Sequence, residues 1–266
     1  MSARIIAVAN QKGGVGKTTT CVNLAAAFAG MKFPVLLIDL DPQGNATTGC
    51  GIDPRRLHMS ACEVLLEERT ADETILRPEG LDFDLLPSNG DLTAAEVALL
   101  QKEGREFALK RALKPLLDKY AWIFIDCPPS LSMLTVNALA SAHSVLIPVQ
   151  CEYYALEGLT GLLNTIEQIR SSVNPGLKIE GLLRTMYDGR NNLATAVSEQ
   201  LLENFGDRVY RSLIPRNIRV AEAPSYGLPV LLYDGRSKGA IAHVALAGEM
   251  LRRYEKSTAP RKGLQT

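Results

Sequence analysis

Short apolar, β-rich runs recur along the chain at Ile5–Ala9, Val35–Ile38, Trp122–Ile125, Val145–Val149 and Ile179–Leu183. Each is apolar on both faces, which predicts central strands of a parallel sheet. Phe83–Leu86 and Val209–Ile214 are further strand candidates. Between these runs lie helical patterns at Lys17–Ala29, Glu106–Lys119, Leu134–Ala142, Leu156–Ser171, Ala194–Asn204 and Lys238–Arg253. The last keeps an apolar stripe to Leu251 and then turns basic at Arg252 and Arg253, where cations oppose the helix dipole. Strand–helix alternation over most of the chain predicts an α/β fold: a doubly wound, mostly parallel sheet with helices on both faces. Such sheets bind ligands at the carboxyl ends of their strands.

Composition narrows the picture. The chain has 266 residues, 46% of them hydrophobic, enough for a large core. No compositional break, repeat or low-complexity tract divides it. The expected organisation is one domain over residues 1–256 and a flexible polar tail over 257–266. Equal numbers of basic and acidic residues, 29 of each, leave no global attraction to nucleic acid or membrane, so either partner needs a local patch. The five cysteines are scattered without a C-x-x-C pair, which suggests neither a disulfide framework nor a zinc site. Reduced thiols point to a cytoplasmic protein. No apolar run approaches the ~20 residues of a membrane span, and Met1–Asn10 reads as a first strand rather than a signal peptide.

The chemistry begins where strand one meets Gln11-Lys12-Gly13-Gly14-Val15-Gly16-Lys17-Thr18-Thr19. A strand, a glycine loop and a helix in this order make a phosphate site. Glycines leave the backbone N–H groups open and reach the positive-φ conformations that a nest requires. The helix N-terminus adds about half a positive charge. In this pattern Lys17 reaches the β- and γ-phosphates of ATP, and the Thr18 hydroxyl ligates Mg²⁺. The general P-loop pattern has glycine where Gln11 stands, and a second lysine, Lys12, opens the loop instead.

Acids follow two further strands. Asp39 and Asp41 lie in Ile38-Asp39-Leu40-Asp41-Pro42-Gln43-Gly44-Asn45, and Asp126 lies in Ile125-Asp126-Cys127-Pro128-Pro129. Mg²⁺ often meets carboxylates through water. Asp126 reads as the Walker B acid, Asp39 as its outer partner or as a cap of the following turn, and Asp41 as the residue that orients or activates the attacking water.

The loop with its extra lysine resembles the deviant-Walker-A ATPases, the group of ParA, MinD and the nitrogenase iron protein. D-x-D-P-Q-G-N and D-x-P-P resemble the ParA/Soj partitioning branch more closely. So do the segments Gln150–Gly158, Ile214–Asn217 and Leu232–Gly239, and the resemblance runs through nearly the whole chain. It implies that ATP drives a sandwich homodimer in which Lys12 reaches the partner's phosphates across an interface at Gly13. It also implies that Asp41 is the hydrolysis residue, that Pro128 belongs to a γ-phosphate switch, and that Pro215 and Asn217 contact the base. Arg190 and Arg219 match arginines that bind double-stranded DNA without reading its sequence, a task of phosphate neutralisation. On their own these two arginines fit solvated loops or ion pairs equally well.

The resemblance further implies a nucleoid-associated protein whose weak ATP hydrolysis is stimulated by a ParB/Spo0J-type centromere-binding protein. Because the P-loop opens at residue 12, no helix-turn-helix extension is expected. A MinD-like membrane role is the alternative, but the tail Ser257–Thr266 has Pro, Gly and a single large apolar residue to offer a lipid interface. Positioning of another cargo has the same biochemistry. An iron–sulfur function would need Cys127 or Cys151 to converge at a dimer axis.

Overall fold

The computed structural model describes residues 2–258. Its first half runs β1 (Arg4–Val8), α1 (Lys17–Gly30), β2 (Val35–Asp39), α2 (Asn45–Gly49), α3 (Ala61–Leu65), α4 (Ala71–Thr74), β3 (Asp84–Leu86), α5 (Leu92–Leu99), α6 (Ala108–Leu113) and β4 (Trp122–Asp126). The second half adds α7 (Met133–Ser141), β5 (Ser144–Gln150), α8 (Ala155–Ser172), β6 (Lys178–Thr185), α9 (Asn192–Phe205), α10 (Ile218–Glu222), α11 (Val230–Tyr233) and α12 (Lys238–Thr258).

The six strands form one sheet in the order β3-β2-β4-β1-β5-β6, and every pairing is parallel. From β1 the chain steps out to β3, returns with β4 into the gap beside β1, and then builds the other edge. That reversal makes the crevice at the carboxyl ends of β1, β2 and β4 the expected ligand site.

Alternate strand residues enter two separate cores. Ile5, Ala7, Leu36, Ile38, Ile123, Ile125 and Ile147 face one side, against Leu92, Leu109, Leu134, Leu159 and Val197 from the helices there. Ile6, Val8, Leu37, Phe124, Leu146 and Leu183 face the other, against Leu24 and Phe28 of α1 and Leu246 and Met250 of α12. Phe28 anchors that second core, its ring 4.4 Å from Trp122 and 5.5 Å from Phe124. Each such buried side chain contributes about 1.5–3 kcal/mol relative to exposure. A helix layer on each face explains why the strands are apolar at every position.

Three expectations change. Glu106–Lys119 is not one helix: α6 stops at Leu113 and Lys114–Leu116 is a 3₁₀ turn, because Pro115 has no N–H to continue the ladder. Val209–Ile214 is not a strand. Only Val209 bridges Leu182, while the Arg211 and Ser212 N–H groups donate to the Glu249 carboxylate at 3.0 and 2.8 Å. Lastly, α12 includes Ser257 and Thr258, the first two residues of the expected tail; the rest of that expectation, residues 259–266, lies outside the described residues. No described helix is long and apolar enough to cross a membrane.

Candidate nucleotide-binding site

The loop after β1 lies over the carboxyl edge of the sheet. Gly16 adopts φ 89° at the N-cap of α1, a left-handed conformation natural only to glycine. At Gly13 and Gly14 an added Cβ would meet no atom within 4 Å, so the cradle faces open space of the kind a phosphate needs. Val15 turns into the protein, and its carbonyl accepts from Thr185 Oγ1 at 2.8 Å, tying the loop to the end of β6. Asn10 is buried beneath it and donates to Pro148 O at 2.7 Å.

Lys17 is buried at the first turn of α1, its Nζ 3.3 Å from Lys12 O. Burial lowers its pKa, and Asp126 and Asp41 pull the other way. The Lys12 side chain leaves the cleft and pairs with Glu152 Oε2 at 2.6 Å, both groups being partly exposed.

The acids occupy distinct environments. Asp39 and Asp126 are register partners at the ends of β2 and β4, and both are fully buried. Asp39 is bound into a local network. Its Oδ2 accepts from Thr47 N and Oγ1 at 2.8 and 2.7 Å, and its Oδ1 accepts from Asp41 N at 3.2 Å. Burial raises its pKa to about 6 against these hydrogen bonds. Asp39 thus holds the turn leading to α2 through Thr47 and the Asp41 N–H. Asp126 differs: Oδ2 has no partner, and burial followed by the charge of Asp39 pushes its pKa up, opposed by Thr18 and Lys17. A buried carboxylate oxygen without a donor is costly, and a hydrated cation beside Thr18 would satisfy it.

Asp41 sits on the opposite wall. It is nearly buried, and its Oδ1 accepts from Gln43 N at 3.0 Å. Its carbonyl accepts from Ser88 Oγ at 2.7 Å, and Ser88 N donates to Thr47 Oγ1 at 2.9 Å. Gly44 makes this turn possible: it holds φ 63°, and a Cβ there would lie 2.9 Å from Pro54 Cγ and 3.0 Å from Ser88 O.

Between these walls lies a cleft of about 420 Å³, lined by Gly13, Gly14, Lys17, Thr18, Thr19 and Asp41, among others, with Pro129 at its edge. Gly16, Thr19, Met186 and Val220 also border a second cavity of about 170 Å³, which contains the predicted base contacts Pro215 and Asn217. Asn217 Oδ1 caps α10 by accepting from Val220 N at 3.2 Å. Pro128 is buried and does not line the cleft. The geometry therefore brings together Gly13, Gly14, Gly16, Lys17, Thr18, Thr19, Asp41 and Asp126, and sets Pro215 and Asn217 next door.

Arg190 and Arg219 stand apart from the cleft walls, each in an ion pair. Arg190 holds Asp188 through two bonds of 2.9 and 2.7 Å, is 91% exposed, and pulls the Asp188 pKa down to about 2. Arg219 contacts Glu222 at 3.0 Å and Asp234 at 3.4 Å. All five cysteines are buried, Cys127 and Cys151 included, and no metal-binding group of three or more His, Cys, Asp or Glu exists among the described residues. Sequence reasoning missed Thr47, Ser88, Thr185 and His243, whose positions at the site come from tertiary folding. Glu152 lies in the segment Gln150–Gly158, which carries the family resemblance but assigns it no role.

The chain is similar to known proteins over most of its length. A family model described as an AAA domain matches residues 3–179. The chromosome partitioning protein ParA of Myxococcus xanthus is 50% identical over 94% of this chain and 88% of its own. The sporulation initiation inhibitor protein Soj of Bacillus subtilis is 49% identical over 93% and 98%. A crystal structure from Mycobacterium smegmatis, described as a cobyrinic acid a,c-diamide synthase with bound ADP and magnesium, is 40% identical, has a TM-score of 0.85 and covers 96% of each chain. With near full-length identity of about half to ParA and Soj, the chain belongs to the ParA/Soj family of P-loop ATPases.

Proposed function

We propose that this ATP hydrolase is a partitioning ATPase that uses an ATP-bound sandwich dimer to hold DNA without sequence preference. The observation that carries the nucleotide part is the convergence of the open glycine cradle, Lys17, Thr18 and Asp41 on one cleft, with the buried Asp126 beside Thr18 and Lys17. Backbone N–H groups of Gly13–Thr19 and the Lys17 ammonium receive the phosphates. Thr18 and Asp126 would hold Mg²⁺, which would supply neutralisation of the phosphate charge. Asp39 fixes the turn that aims Asp41, and Asp41 positions the water. Pro215 and Asn217 border the base. Positioning and charge stabilisation are what phosphoryl transfer requires of a protein.

Lys12 is the cross-subunit residue in this reading. Its pair with Glu152 is partly exposed, and such pairs are weak enough to exchange for a partner's phosphate. Lys12→Ala should keep ATP affinity within about threefold. It should weaken ATP-dependent dimerisation at least about 30-fold, the scale expected when one member of a desolvated charge pair is truncated. Light scattering in ATP measures this, and a normal ATP dimer in the variant removes the cross-subunit role.

Dimerisation would set two copies each of Arg190 and Arg219 on one assembly, where phosphates can replace their partly exposed carboxylate partners. Retention on a random-sequence duplex should be strong in ATP and lost in ADP. Its log–log salt slope should be about −0.9 per phosphate contact, and shallower in the Arg190→Ala/Arg219→Ala variant. Retention indifferent to nucleotide would refute the partitioning reading, and no retention in any nucleotide would move the ATPase to a membrane or protein cargo. A ParB-type partner that stimulates hydrolysis completes the cycle and would place the protein on the nucleoid.

A further inference from the structure

His243 lies on α12 and borders the cavity that holds Pro215 and Asn217. Its ring is fully buried. Nδ1 is 2.8 Å from Gly239 O, and a carbonyl can only accept, so Nδ1 carries the proton. In the neutral ring Nε2 is then an acceptor with an available lone pair. Among the described residues Nε2 has no hydrogen-bond partner. Burial holds the His243 pKa down at about 4, which keeps the ring in this neutral form.

A buried acceptor without a donor costs free energy and calls for an explanation. Here the cavity supplies one. It shares Gly16, Thr19, Met186 and Val220 with the phosphate cleft, so it lies next to any nucleotide seated on the glycine loop. Gly239 permits the approach of α12: a Cβ there would lie 2.2 Å from Val220 Cγ2 and 3.3 Å from Asn217 Oδ1. Adenine carries a donor, its 6-amino group, where guanine carries an acceptor oxygen.

We propose that His243 Nε2 accepts a hydrogen bond from the 6-amino group of adenine and so selects adenine over guanine nucleotides. This rests on the nucleotide-binding reading above and adds a specificity residue to it. A guanine O6 would place lone pair against lone pair at a buried atom, and a base without a 6-substituent would leave Nε2 unpaired.

Binding of diphosphates tests this without turnover. Calorimetric dissociation constants are compared for ADP, GDP and purine riboside 5′-diphosphate, which lacks the amino group. The wild-type chain should bind ADP about tenfold more tightly than the purine analogue, and GDP more weakly still. In His243→Leu the ADP-to-analogue ratio should collapse to about one while analogue affinity holds. In His243→Gln, whose amide oxygen can still accept, part of the ratio should return. Thermal melting identifies a variant that fails to fold, and the wild-type ratio remains decisive in that event. A wild-type ratio of one, or an unchanged ratio in folded His243→Leu, overturns the role of His243 alone. Failure of the wild-type chain to bind any of the three overturns the nucleotide reading beneath it.

Discussion

Asp41→Ala is expected to lower ATP turnover about 100- to 10,000-fold, the range lost when a group that handles the attacking water is removed. ATP affinity should remain. Three hydrogen bonds fix the backbone and side chain of Asp41. Asp39 fixes the Asp41 N–H, Ser88 fixes its carbonyl, and the Gln43 N–H takes one carboxylate oxygen. The side chain lines the cleft opposite Lys17 and Thr18. Because the phosphate cradle is untouched, the variant should bind ATP, form the dimer and stay in it. Phosphate release and light scattering in ATP measure both halves. A variant that hydrolyses within threefold of wild type, or that stays monomeric in ATP, refutes the role assigned to Asp41. Asp41→Asn separates charge from shape: it keeps an oxygen for Gln43 and loses the negative charge, so a comparable fall in turnover assigns the effect to the carboxylate.

The reach of sequence reasoning follows from how local each feature is. The strands were legible because helices cover both faces of the sheet, so Ile5–Val8 and Ile123–Ile125 are apolar at every position. The glycine loop was legible because its geometry is set by neighbours a few residues away. Thr185 and Val15 are 170 positions apart, and Ser88 and Thr47 are 41 apart, so no local pattern joins them. His243 reads as an ordinary helix residue until α12 packs beside Asn217 and Val220. Two missed helices did carry a signal. Ser60 with Glu63, and Thr70 with Glu73, are capping boxes that open α3 and α4. Val209–Ile214 misled because it has strand composition while Glu249, 38 positions beyond Arg211, takes the N–H groups a ladder would use.

Lys17→Ala is expected to weaken both ATP and ADP binding about 100-fold or more. Hydrogen bonds to charged groups contribute about 1.5–3 kcal/mol each, and two phosphate contacts exceed the 2.8 kcal/mol that corresponds to about 100-fold. Buried surroundings increase the effect, because water cannot replace the ammonium. The same burial makes the side chain costly before nucleotide arrives: desolvation lowers its pKa, and only Asp126, Asp41 and nearby groups offset it. Removing it should therefore change the stability of the nucleotide-free chain far less than it changes binding. Lys17→Arg should not restore affinity, since a planar fork cannot occupy the place of a compact ammonium between the loop and the acids. Calorimetry with ADP separates this lysine from Lys12, whose loss should leave ADP binding intact because its proposed target lies on the partner. Affinity within threefold of wild type in Lys17→Ala would mean that the backbone cradle alone holds the phosphates, and the assignment of Lys17 would fail.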